Sequence, residues 1–132
     1  MTDKYNITEI ESAIVAVLRE GGVSANVFTN RPRSSTKPLA DFVVAHITGG
    51  VVDRCAVGEC VVSFSLFAQD IENIKNSKKL SVLQDRLFSA LPYEFGKVVF
   101  KPFSKRIVGD TPDGAGYHAR VITIQAFIKN AE

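Results

Sequence analysis

The run from Tyr117 to Lys129 narrows the fold more than any other part of the chain. His118, Arg120, Ile122, Ile124, Ala126 and Ile128 alternate there with Tyr117, Ala119, Val121, Thr123, Gln125 and Phe127. A period of two turns successive side chains to opposite faces, which is the geometry of an extended strand. A second run has the same character. Cys60, Val62, Phe64 and Leu66 form one row and Val61, Ser63, Ser65 and Phe67 the other, with two hydroxyls in its middle. One apolar row and one mixed row predict an antiparallel sheet covered on one face.

The covering elements are helices. Ile7, Ile10, Ile14, Val17 and Leu18 recur at helical spacing. Asn6 with Glu9 has the character of a capping box, and Gly21-Gly22 supplies a stop, so a helix is predicted from Ile7 to Glu20. Leu80, Leu83, Leu87, Phe88 and Leu91 mark a second, from about Ser77 as cap to Leu91, ended by Pro92.

Shorter strand signals fill the remainder. Ala25–Thr29 is β-compatible, and Phe42–Thr48 is a β-branched run that Gly49-Gly50 is expected to close as a turn. Val51–Val57 then pairs back before Gly58 opens the next turn. Lys97–Phe103 is a strand limited by Pro102, and Ile107-Val108 continues it. Asp110–Gly116 is dense in turn formers. The predicted order is helix, four strands, helix, two strands. Residues 1–132 form one domain of the α+β class, a mainly antiparallel sheet with both helices on one face.

Composition removes several function classes. Sixteen basic against fourteen acidic residues leave a formal charge of +2, too little by itself to imply a polyanion partner. No apolar run approaches the roughly 20 residues that span a bilayer, and the polar start Met1–Asn6 does not read as a signal peptide. A reducing cytosol is the expected folding compartment. Cys55 and Cys60 fit it as small apolar strand residues. With His46 and His118 they reach a Cys2His2 count, but without zinc-finger spacing.

A catalytic set is not legible. Phosphate-loop, Gly-x-Ser-x-Gly and His-Glu-x-x-His patterns are all missing. An enzyme or ligand-binding reading needs His118, Asp110 and Asp113 to converge on a pocket. The plainer reading makes Asp110 and Asp113 part of a solvated turn and His118 a structural strand residue. No metal or cofactor is expected. Arg31, Arg33 and Lys37 cluster in one loop, and Lys101, Lys105 and Arg106 in another. Each reads either as a solvated loop tip or as a phosphate contact. Phe67, Tyr117 and Phe127 form an apolar excess that two helices cannot wholly bury, which points to an oligomer or partner interface.

Several segments together resemble the tail-terminator, or tail-completion, proteins of long-tailed bacteriophages and prophages. The likeness begins with the leading helix, Val27-Phe28-Thr29, the proline-bearing loop Arg31-Pro32 to Lys37-Pro38, and Asp41-Phe42-Val43-Val44-Ala45. It continues through Val61–Ala68, which ends in Leu66-Phe67-Ala68 before the second helix. It closes with Asp110, Asp113-Gly114 and Tyr117–Thr123. The family's usual Pro-Tyr is here Pro38-Leu39-Ala40-Asp41-Phe42, and the chain has no tryptophan. The resemblance implies a structural protein of the virion tail, assembled in the host cytoplasm and not an enzyme. It implies a hexameric ring on the head-proximal end of the tail tube, whose partners are other copies of itself, the tube protein and head–tail connector proteins. The loop bearing Arg31, Arg33 and Lys37 would touch a neighbouring subunit, the tube or DNA in the lumen. A neighbouring neck role is the alternative, ahead of a small ligand-binding or nucleic-acid-binding domain.

Overall fold

The structure, a computed structural model, describes residues 6–29, 39–54, 57–101 and 104–129. Helix α1 spans Ile7–Glu20, and Asn6 caps it by accepting from the Thr8 N–H at 2.9 Å. Its apolar stripe, including Ile10, Ile14, Val17 and Leu18, is fully buried. The helix ends in a Schellman motif. Gly22 adopts φ +62° while its N–H donates to Arg19 O, and Val23 N–H donates to Leu18 O. Helix α2, Ser77–Ser89, buries Leu80, Leu83 and Leu87. Its cap is Asn76, one residue before the expected Ser77, and accepts from Lys79 N–H at 3.1 Å.

The strands are β1 (Val27–Phe28), β2 (Asp41–Asp53), β3 (Val57–Gln69), β4 (Tyr93–Phe95), β5 (Val98–Phe100), β6 (Arg106–Pro112) and β7 (Tyr117–Lys129). They form a single sheet in the order β1-β2-β3-β7-β5-β4, with β6 also on β7. Only the β1–β2 pair is parallel; the other pairs are antiparallel. Strand β7 is the spine. One edge pairs with β3 along its whole length, and the other takes β6 over 118–123 and β5 over 126–128.

Both helices pack on one face. The main core joins α1 and α2 to Val43 and Ala45 of β2, Val62, Phe64 and Leu66 of β3, and Ile122, Ile124 and Ile128 of β7. The chain is therefore a single-sheet α+β domain. Its strand count differs from the expectation in two places. Gly49-Gly50 does not close a turn: φ values of 82° and 118° let the extra residues loop out as a bulge between Thr48 and Val52, and β2 continues to Asp53. Gly58 likewise lies inside β3. After α2, Tyr93–Phe95 adds an unexpected strand, and β6 is separate from β5 and extends to Pro112.

The helix layer is tight where α1 ends. A Cβ on Gly21 would sit 2.7 Å from Ala90 Cβ and 2.9 Å from Val17 O, and a backbone carbonyl cannot move aside. Gly21→Ala should therefore lower stability by about 1–3 kcal/mol through overpacking. Urea unfolding followed by circular dichroism checks this, with a lower midpoint and unchanged slope expected.

Candidate functional site

Strand alternation gives the sheet a second face, which among the described residues carries no helix. One end of that face seals itself. Phe42 lies opposite Phe67 in the β2–β3 register and stacks on it at 4.4 Å and 8°. Phe28 and Tyr117 add edge-on contacts to Phe42 at 6.1 and 5.4 Å, and Leu39 packs alongside. The Tyr117 hydroxyl donates to Leu39 O at 2.6 Å. Phe67 is only 6% exposed, which corrects its assignment as an interface residue. The cause is a partner, Phe42, whose register the sequence did not reveal. Tyr117 is half-buried in the same cluster.

The other end of the face stays open. Val52 and Val61 are exposed there, and half-buried Phe127 lies opposite Val99 of β5 and Glu59 of β3. The Lys101 ammonium sits 3.9 Å from the Phe127 ring centroid, a cation–π contact that covers only part of the ring. A groove of about 370 Å³ runs beside Val61, lined by Thr48 to Val52, Glu59, Cys60 and Gln125. Sequence reading named Phe127 here. It missed Val52 because Gly49-Gly50 read as a turn, which separated this residue from the strand that carries it to the open face beside Thr48.

The ionisable groups that a catalytic reading needs take separate partners. His118 Nδ1 lies 2.7 Å from Asp70 Oδ1. Asp113 accepts from the N–H groups of Ala115 and Tyr117, closing the turn between β6 and β7. Asp110 receives Arg120 bidentately, from Nε at 2.7 Å and from an Nη at 2.9 Å, and Lys75 at 3.2 Å. The other Arg120 Nη reaches Ser81 and Gln84 of α2. Among the described residues, His118, Asp110 and Asp113 line neither the groove above nor a hollow of about 490 Å³ bounded by Glu20, Asp85, Arg86, Ser89 and Tyr93.

Electrostatics follow from these contacts. Hydrogen bonds from Arg120 outweigh burial and hold the Asp110 carboxyl below the usual carboxylate range. Asp110 in turn raises the Arg120 guanidinium. Burial pushes the Cys60 thiol up to about 11, so it stays protonated at neutral pH. Burial, then the Glu20 carboxylate accepting its hydrogen at 2.5 Å, pushes Tyr93 up to about 12.

The two histidines lie on opposite faces, His46 across from Ser63 on the open side and His118 across from Ala68 on the helix side. Among the described residues no group of three or more His, Cys, Asp or Glu is placed to hold a metal ion, and no helix is long and apolar enough to cross a membrane. Cys55 and the basic trio Arg31, Arg33 and Lys37 lie outside the described residues. The second basic cluster divides: Lys101 covers Phe127 on the open face, while Lys105 lies 4.6 Å above Phe88 of α2. No protein-family model matches the chain, and comparison with curated proteins found no relative.

Asp110 has a folded-state pKa below its unfolded value. Its stabilising contribution is therefore complete above about pH 4 and is lost as pH falls through the lowered folded value. Asp110→Asn should cost about 1–3 kcal/mol at pH 7, because it leaves a largely buried guanidinium without its charge partner. The gap from wild type should close on acidification. Denaturant titrations at neutral and acidic pH measure both effects.

Proposed function

We propose that this chain is a ring-forming tail-assembly protein of a long-tailed phage or prophage. Its ring caps the head-proximal end of the tail tube and so ends polymerisation. The observation that carries the reading is the one-sided sheet. Both helices spend their apolar stripes on one face, while Val52, Val61 and Phe127 leave apolar surface at the uncovered end of the other. Surface of this kind lowers its free energy when a second molecule removes it from water. The resemblance in element order and local motifs supplies the rest.

The mechanism is geometric. A contact between two different patches of one protein repeats from copy to copy and closes into a ring when its rotation divides a full turn. One rim of that ring complements the tube, and the other presents a different surface to the connector proteins and to DNA in the lumen. A tube end so covered cannot add subunits. No bond-making step is involved.

Purified protein added to growing tail tubes should stop elongation and appear as a closed ring at one end only. Electron microscopy of tubes grown with and without it, with sedimentation velocity on the protein alone, checks this. Tubes that lengthen unchanged and carry no added density at either end would overturn the reading. A ring bound to preformed head–tail junctions but not to free tubes would assign the neighbouring neck role instead.

A further inference from the structure

The connection between β3 and α2 carries the two most exposed large apolar side chains among the described residues, Ile74 at 68% and Ile71 at 61%. They flank a two-residue turn in which each donates its N–H to the other's carbonyl at 2.9 Å. The central residues, Glu72 and Asn73, have φ values of 51° and 65°. This left-handed geometry favours glycine, is tolerated by Asn73 and costs Glu72 roughly 1–2 kcal/mol. The feet of the turn are braced. Asp70 N–H donates to Gly116 O, the Asp70 carboxylate meets His118, and Lys75 reaches Asp110. Strain and struts together hold out an apolar knob that stays mostly exposed.

A receptor of matching character lies at the far end of the same strand. The Gly49-Gly50 bulge carries no side chains, and an added Cβ at either glycine would meet nothing within 4 Å. The floor of the 370 Å³ groove is therefore bare backbone, with Val52 and Val61 as its apolar walls. It holds roughly a dozen waters' worth of volume. Arg54 stands at its rim, 3.3 Å from Glu59 and 62% exposed. That cation complements Glu72 at the tip of the knob. The groove and knob are separated by the length of β3, about 40 Å at the usual rise per residue, so no molecule can fill its own groove.

We propose that the Ile71–Ile74 knob of one copy seats in the Gly49–Val61 groove of the next, as the head-to-tail contact between subunits. The occupant is a second copy of this chain, and Arg54 pairs with Glu72 across the joint. The inference deepens the ring reading and rests on it for closure.

The test uses full-length protein and sedimentation velocity over a concentration series, with circular dichroism to confirm folding. Wild type should self-associate. The knob variant Ile71→Asp/Ile74→Asp and the groove variant Val52→Asp/Val61→Asp should each remain monomeric. Mixed in equal amounts they should form dimers and nothing larger, because only one intact knob and one intact groove can meet. As a milder probe, Glu72→Arg should weaken association at least tenfold, and adding Arg54→Glu should restore it. Wild type that stays monomeric, a knob variant that assembles like wild type, or a mixture that forms no dimers would overturn the contact. If the variants behave as expected but tubes still elongate, the contact stands and the capping reading falls. If tubes are capped by the knob variant, the reverse holds.

Discussion

Everything in this fold hangs on the pairing of β3 with β7. Thirteen consecutive register pairs, from Val57 opposite Lys129 to Gln69 opposite Tyr117, bind two long strands without interruption. Because side-chain direction alternates, that one register decides which residues face the helices and which face away. Phe64 meets Ile122 and Val62 meets Ile124 on the helix side, while Ser63 meets Thr123 and Val61 meets Gln125 on the other. A slip of one position would bury the hydroxyls and expose the isoleucines. The helices are thus a consequence of the ladder, recruited to its most continuously apolar row.

Two members of the helix-side row of β7, His118 and Arg120, break its apolar character, and Arg120 does so deeper under the helices. Arg120 lies opposite Leu66 and points where α2 packs. Its guanidinium is accommodated because each of its three nitrogens has an acceptor: Asp110 on β6, and Ser81 and Gln84 on α2. A charge in such a place costs solvation, and the bidentate carboxylate offsets it. The arrangement ties the paired strands β6 and β7 to α2. It also fixes Lys75, and through it the base of the turn that carries Ile71 and Ile74.

Local pattern made much of the fold legible. Helix α1 and strand β7 occupy the residue ranges that their periodicity predicts, since each has a long, clean repeat. Where the period broke, the reading broke with it. Two glycines in a β-branched run look the same whether they close a turn or loop out as a bulge, and only the pairing of Val52 with Glu59 distinguishes these cases. The short strand Tyr93–Phe95 carries too few residues for any period to show. The candidate surfaces were harder still. Phe67 reads as surplus until Phe42 is known to stack on it, and His118 looks partnerless because Asp70 lies 48 residues away in the chain. Contacts across a sheet are properties of register, which a linear pattern does not contain.

The meeting of Gly21 and Ala90 has a wider consequence. It joins the tail of one helix to the tail of the other with only a hydrogen and a methyl between two backbones. Such a joint leaves no slack for the two helix ends to slide past each other. The two positions then share a single allowance of volume. Any lineage that enlarges one residue must keep the other minimal or spread the helix ends apart.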